Sequence, residues 1–128
     1  MSDYPIGQPA LPCANMIVAR FIRDGGGPTG DPVDTLMNVA SGVYAVLDAV
    51  AVTFIDLDTM RAVRTPRVFG GVEPNVLRRD GDWLKVEILT CTAGRGLHLA
   101  VELDAETKLL THRGPSKDPV LTIVPMLA

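Results

Sequence analysis

One carboxylate, Asp48, interrupts the otherwise apolar stretch SGVYAVLDAVAVTF (41–54). A carboxylate that is withdrawn from water beside a suitable partner can serve as a general base or a nucleophile, because burial and neighbouring charges change its proton affinity. An aspartate at the rim of a core more commonly stays ionised and accepts hydrogen bonds. The sequence therefore leaves two interpretations of Asp48, and we favour an exposed or hydrogen-bonded acid at the rim of the core over a functional acid.

The other side chains that could do chemistry do not form a recognisable catalytic set. His98 and His112 have no Ser or Cys in a nucleophile motif, and the pattern GxSxG is absent, so we predict surface or interface histidines. Arg61, Arg64 and Arg67 form a local basic cluster. We predict a solvated stripe, with pairing to acids across an interface or binding of a nucleotide-like phosphate as the alternatives.

Neither the cysteines nor the glycine-rich segment indicates a cofactor. Cys13 and Cys91 have no second thiol or histidine at metal-ligand spacing, so inert thiols are expected, and a disulfide requires the fold to bring them together. The segment DGGGPTGDP (24–32) lacks the Gly-Lys-Ser/Thr of a phosphate-binding loop and predicts a plain loop. We predict no metal site and no cofactor.

The composition is that of a globular domain. A chain of 128 residues can bury about two thirds of its unfolded surface in one core, without a metal or a disulfide. The 47% of apolar residues and 21% of charged residues are ordinary values, which exclude a disordered class. The net charge of −3 argues against a nucleic-acid partner, because binding to phosphates requires a basic surface.

The sequence predicts neither a targeting segment nor a membrane span. The N-terminal MSDYPIGQPALP has no basic region followed by an apolar helix, as a signal peptide requires. The longest apolar stretch, 43–55, falls short of the roughly 20 residues that cross a bilayer. We expect a soluble protein, located in the cytoplasm or in a virion.

Proline placement divides the chain. Pro5, Pro9 and Pro12 predict an extended arm over residues 1–14, because proline fixes φ and removes a hydrogen-bond donor. We expect this arm to become ordered against a neighbouring subunit or against its own body. Residues 15–128 are predicted to form a single β-rich domain, which begins with a strand over 15–23.

A helix is predicted near the middle of the chain. Asp31 followed by Pro32, or Ser41, can cap its N-terminus. The next apolar residues fall at i, i+3, i+4 and i+7, which is one face of a helix: Val43, Val46, Leu47 and Val50. Asp48 then lies on the flank of that face. Residues 50–57 are β-branched enough to be either helix or strand.

The second half of the chain predicts strands. Apolar and polar residues alternate over 83–90 and 97–103, and turn signals occur at Asp80-Gly81, AGRG (93–96) and DAET (104–107). These patterns indicate an antiparallel meander of about four strands over 72–113, and VLTIV (120–124) adds another strand. The predicted fold class is therefore α+β and β-rich: an antiparallel meander packed on one main helix, with an extended N-terminal arm.

The layout SGVYAVLDAVA followed by GDWLKVEILTCTAGRGLHLAVELDAETKLLTHRG, within residues 41–114, resembles the hotdog-fold acyl-CoA thioesterases. In that family a sheet wraps a central helix. The resemblance implies that Asp48 is the helix acid that activates water or holds the thioester, while Ser41, Gly42 and Asn38 near the helix N-terminus polarise the carbonyl. The family's His-Gly-Gly motif is absent, and the sequence there reads ASG.

Two functions from different classes follow, and we favour the first. The first is a non-enzymatic structural protein that stabilises or decorates a larger particle, such as a phage capsid. Its partners are other protein subunits, bound through the arm and the apolar tail VLTIVPMLA (120–128), and we expect a homo-oligomer. The alternative is a thioesterase-like enzyme with Asp48 and Ser41 as catalytic residues, or a degenerate binder of acyl groups. A ligand-binding or regulatory β domain is a third possibility.

Overall fold

A computed structural model describes residues 30–67 and 73–126, and these residues form a single seven-stranded antiparallel sheet. Its strands are β1 (Val43–Leu47), β2 (Ala51–Asp56), β3 (Arg61–Pro66), β4 (Leu84–Thr90), β5 (His98–Glu102), β6 (Leu110–Arg113) and β7 (Thr122–Pro125). Their order in the sheet is β6-β5-β4-β3-β2-β1-β7. Strands β1 to β6 are thus a continuous meander, and β7 returns to pair with β1. The predicted arm (1–14) and the predicted strand at 15–23 lie outside the described residues.

The predicted main helix is wrong. The described residues contain no helix: 43–47 and 51–56 are strands, and the turn at 48–50 joins them as a hairpin. The described fold is therefore all-β and not α+β. The pattern misled because β1 is buried on both faces, with Ala45 in one apolar cluster and Val46 in another. A strand with two buried faces is apolar at consecutive positions, and such a run contains the i, i+3, i+4 spacing by chance.

The meander after residue 72 has fewer strands than predicted. Among the described residues, 73–83 form turns and irregular backbone, and the three strands β4, β5 and β6 follow. The predicted turns AGRG and DAET do lie between successive strands. The ambiguous stretch at 50–57 contains strand β2, and the predicted strand at 120–124 overlaps β7.

The sheet is strongly curled. At about 4.8 Å per strand, a flat sheet would separate β4 from β7 by roughly 19 Å, yet Val33 bridges to Ile123 on β7 and Thr35, two residues later, bridges to Thr92 just after β4. Residues 114–121 join the edge strands β6 and β7, and this connection forms hydrogen bonds to residues in or beside other strands. Ser116 N–H donates to Leu97 O at 3.0 Å, and Leu121 N–H donates to Leu47 O at 2.7 Å. The connection therefore crosses one open end of the curl.

Apolar side chains fill both sides of the curled sheet. The inner cluster, on the concave face, comprises Leu36, Val46, Ile55, Leu57, Ala62, Val86, Cys91, Leu97, Leu99, Val101, Val120 and Ile123. The outer cluster, on the opposite face of β1, β2, β3 and β7, comprises Ala45, Phe54, Val63, Trp83, Val124 and Met126. In the described part of the apolar tail, Ile123 and Val124 are buried on opposite faces of β7 and pack against the sheet.

A segment before β1 draws the sheet together. Val33 bridges to Ile123 on the outer edge of β7, and Thr35 bridges to Thr92 after β4. The hydroxyl of Thr35 also donates to Cys91 O at 3.1 Å. Residues 33–35 therefore link distant parts of the curl, although β6 and β7 are not paired with each other. No helix among the described residues is long and apolar enough to span a bilayer.

Candidate functional site

The concave face of the sheet borders a cavity of about 300 Å³. Its apolar walls come from β3, β4, β5 and the residue before β5: Ala62, Leu84, Val86, Leu97, Leu99 and Val101. Its polar lining includes Asp48, Thr53, Arg64, Asn75, Arg113, Ser116, Lys117 and Asp118. An apolar cavity with a few convergent polar groups is the usual form of a small-molecule site.

Strand alternation places two arginines in this cavity. Arg64 lies two positions after Ala62 on β3, so both face inward while Val63 faces the outer cluster. Arg113 on β6 is in register with Leu99 on β5 and therefore shares its inward face. The side chains of Arg64 and Arg113 are only 10% and 17% exposed.

A single carboxylate lies between these arginines. Asp80 Oδ2 accepts a hydrogen bond from Arg64 Nη1 at 2.5 Å and another from Leu77 N–H at 2.7 Å. Arg64 also donates to the backbone and side-chain oxygens of Asn75, at 2.9 and 2.6 Å. These bonds attach the loop that precedes β4 to the cavity wall. The other oxygen, Asp80 Oδ1, is buried without a hydrogen-bond partner and lies 4.0 Å from Arg113 Nη1.

Arg113 is the less completely neutralised of the two guanidinium groups. Its Nη2 donates to Arg78 O, and its Nη1 lies beyond hydrogen-bond distance of Asp80. Burial lowers the pKa of Arg113; the charge of Asp80 raises it, and the charge of Arg64 lowers it further. The described partners of Arg113 thus leave it spare N–H donors beside the apolar walls, in a lining where Lys117 adds a positive charge and Asp48 and Asp118 add two negative charges.

Asp48 is 7% exposed and holds the hairpin turn between β1 and β2. Its Oδ1 accepts hydrogen bonds from Val50 N–H and Ala51 N–H, both at 2.8 Å. Its backbone oxygen accepts a further bond from Arg67 Nη1 at 2.9 Å. Asp48 is therefore a buried hydrogen-bond acceptor in a turn, and it does not lie on a helix.

Asp48→Ala is expected to lower the free energy of unfolding by about 2 kcal/mol, because two backbone donors lose their acceptor and one of them is fully buried. Asp48→Asn keeps an oxygen at the same position and is expected to change the free energy of unfolding by less than about 0.5 kcal/mol. Urea denaturation of both variants measures the difference. Equal losses in the two variants would show that charge, and not turn geometry, is what Asp48 contributes.

Ser41 is not placed beside Asp48. Ser41 is exposed and precedes β1, whereas Asp48 follows β1, so an extended strand roughly 20 Å long separates them. Asn38 is exposed as well, and Gly42 N–H donates to Asp58 Oδ1 at 3.3 Å instead of standing free at a helix end. The helix that the hotdog resemblance implies for these residues does not form.

The three clustered arginines separate in the structure. Arg61 and Arg64 lie on opposite faces of β3 because their spacing is odd. Arg67 reaches the β1–β2 turn through its bond to Asp48 O. Only Arg64 enters the cavity.

Two other predicted groups lie away from the cavity. Cys91 is a buried free thiol, and burial raises its pKa to about 12, which makes it unreactive at neutral pH. His98 and His112 lie on the outer face of β5 and β6, where His98 Nε2 and His112 Nδ1 are 2.8 Å apart.

The central residues of the site, Asp80 and Arg113, were not predicted as functional from the sequence. Asp80 was recognised only as a turn residue. Arg113 is the last residue of β6, LTHR (110–113), and its inward direction depends on the register with β5. A charged residue at the end of a predicted strand is the one signal that could have indicated Arg113.

Comparison of the chain with protein-family models, curated proteins and solved structures found no match.

Proposed function

We propose that this chain is a non-enzymatic binding protein that holds a small amphipathic anion, such as an acyl carboxylate, in its concave cavity. The carrying observation is the combination of apolar walls with two largely buried guanidinium groups that share a single carboxylate. An anionic head group beside Arg113 would accept hydrogen bonds from the N–H groups that the described partners of Arg113 leave unused. The planar fork of donors on a guanidinium also matches a carboxylate.

The cavity volume limits the size of this ligand. About 300 Å³ equals roughly ten water molecules at the volume that water has in the liquid. A carboxylate with a short aliphatic chain fits that volume, with its chain against Val86, Leu99 and Val101. Binding of this kind needs no nucleophile or base, in agreement with the role of Asp48 Oδ1 as a turn acceptor.

The test compares straight-chain carboxylates with the alcohols of equal length by isothermal titration calorimetry. We expect saturable binding of a carboxylate, and at least tenfold weaker binding of the matched alcohol, because a hydrogen bond to a charged group contributes about 1.5–3 kcal/mol. Arg113→Met keeps much of the side-chain length and should weaken carboxylate binding by about the same factor.

Arg79→Met is the matched control. Arg79 is an arginine that does not line the cavity; its guanidinium pairs with Asp82 at 2.7 Å, and it is 42% exposed. Carboxylate affinity should not change in this variant. Equal binding of carboxylate and alcohol, equal losses in the two arginine variants, or the absence of any saturable binding would contradict the proposal.

A second candidate is a structural role in a larger assembly, such as a phage capsid, with other subunits of the same or another protein as partners. It is favoured by exposed apolar side chains beside both edge strands. Leu109, just before β6, is 68% exposed, and Leu121, just before β7, is 60% exposed. Edge strands carry unpaired backbone groups that can add another chain, and exposed apolar residues promote such contacts.

Native mass spectrometry distinguishes the structural role from the binding of a small anion, because one measurement gives both the oligomeric mass and the mass of any retained ligand. Leu109→Asp and Leu121→Asp should reduce assembly if the edges carry it, whereas Lys85→Asp, at an exposed position on the central strand β4, should not. A monomer that is unaffected by either leucine substitution would contradict self-assembly through the edges.

A further inference from the structure

We propose that His98 and His112 form a binding site for a divalent transition-metal ion on the outer face of the sheet. His98 lies on β5 directly before Leu99, whose side chain is in the inner cluster, so the imidazole of His98 points outward. His112 on β6 is in register with Ala100, which shares the outer face with His98. The two imidazoles are therefore diagonal neighbours across an antiparallel pair.

The two rings already lie at nearly the separation that a metal requires. His98 Nε2 and His112 Nδ1 are 2.8 Å apart, the ring centroids are 5.0 Å apart, and the ring planes are tilted by 48°. Metal–nitrogen distances of about 2.0–2.1 Å place two ligating nitrogens about 2.9–3.4 Å apart, for angles between square and tetrahedral. Conversion of the hydrogen bond into a chelate requires the two nitrogens to move apart by a few tenths of an ångström and each ring to turn by roughly 35–45°, so that both lone pairs point at one ion and not at each other.

The chemistry of the pair also matches. In this hydrogen bond one neutral imidazole donates its N–H to the lone pair of the other. When a metal ion binds, the donor ring changes tautomer, so that its proton moves to its other ring nitrogen and both facing nitrogens offer lone pairs to the ion. Imidazole nitrogen suits Zn²⁺, Ni²⁺ and Cu²⁺ and is a poor ligand for Mg²⁺. No group of three or more His, Cys, Asp and Glu is assembled among the described residues. Water would complete the coordination at this partly exposed position, so the site is open.

This site is independent of the cavity. The cavity is lined by the inward residues of β5 and β6, Leu99, Val101 and Arg113, while the imidazoles occupy the opposite face. Metal binding at the pair would bridge the edge strand β6 to β5. Because the ion binds only when β5 and β6 are paired, it is expected to stabilise that pairing against unfolding.

The test is titration of the chain with ZnCl₂, followed by NMR of the ¹⁵N-labelled histidine rings. The chain contains two histidines, so both signals can be assigned from single substitutions. We expect both rings to shift together and to saturate at one ion per chain, with MgCl₂ causing no shift. The titration uses a Cys13→Ser background, so that the thiol of Cys13 does not compete for Zn²⁺. The remaining thiol, Cys91, is buried.

His98→Gln and His112→Gln should each weaken Zn²⁺ binding by at least about tenfold, since loss of even an outer-shell partner costs 10–100-fold. The double variant should show no saturable shift or heat. Thr111→Ala, on the same strand but facing the other way, controls for disturbance of β6. A shift of one ring alone, an equal response to Mg²⁺, or undiminished binding by the double variant would overturn the proposal.

Discussion

Asp80→Ala is expected to lower the free energy of unfolding by about 4 kcal/mol, because it leaves two largely buried guanidinium groups without their shared carboxylate. The carboxylate is 6% exposed and bonds both Arg64 and Leu77 N–H. Removing one partner of a buried ion pair leaves the opposite charge uncompensated, which costs more than the pair itself contributes. The loss would be a large fraction of the 5–15 kcal/mol that typically stabilises a domain.

Urea denaturation checks this prediction, with Asp82→Ala as the matched control. The Asp82 carboxylate lies 2.7 Å from Arg79 Nε, which is close to the distance between Asp80 and Arg64. The side chains of Asp82 and Arg79, however, are 50% and 42% exposed. An exposed pair of this kind contributes at most about 1 kcal/mol, so the control should remain close to the parent protein. A loss at Asp80 no larger than the loss at Asp82 would contradict the buried-cluster interpretation.

A second substitution tests the cause of the loss. Arg113→Met in the Asp80→Ala background removes one of the two uncompensated charges and should recover part of the stability, in the manner of a double-mutant cycle. If Asp80→Ala does not fold, Asp80→Asn keeps the shape and a hydrogen-bond acceptor and supplies the measurement. Additive losses from Asp80 and Arg113 would show that the two side chains do not interact.

Gly96→Ala is expected to lower the free energy of unfolding by about 3 kcal/mol, at the upper end for overpacking. A Cβ on Gly96 would overlap the backbone oxygen of Ser116, and Gly96 forms an isolated bridge to Pro119. The obstacle is backbone and not the end of a flexible side chain. Relief therefore requires movement of the 114–121 connection, part of which lines the cavity.

Gly94→Ala separates this effect from the general cost of replacing a glycine. Gly94 has φ of +87° and nothing within 4 Å of its would-be Cβ, so alanine there meets only backbone strain of about 1–2 kcal/mol. Thermal and urea denaturation of the two variants give the comparison. A Gly96→Ala loss no greater than that of Gly94→Ala would mean that the connection adapts freely and does not constrain the curl.

Local patterns in the sequence predicted much of the second half correctly. The start of β4 (84–87) alternates between buried and exposed residues, because one face lies on the core, whereas β5 (98–102) also buries Ala100 on its outer face and was identified by its polar ends and the flanking turn residues. The helix at 43–50 was predicted wrongly, since β1 is buried on both faces and has no period of two. Apolar residues alternate with polar ones only in a strand that buries one face and exposes the other. A strand with two buried faces lacks this alternation, so its sequence does not distinguish it from a helix.

Composition and local patterns by themselves thus determined the β-rich character of the described residues and the turns at AGRG (93–96) and DAET (104–107). Only the tertiary structure decided that Arg64 and Arg113 meet Asp80 at one cavity and that His98 meets His112 on the opposite face. The physical reason is register: a slip of one residue in strand pairing moves every side chain to the other face. Contacts between segments that are far apart in the chain select this register. A local pattern of residues holds no information about such contacts.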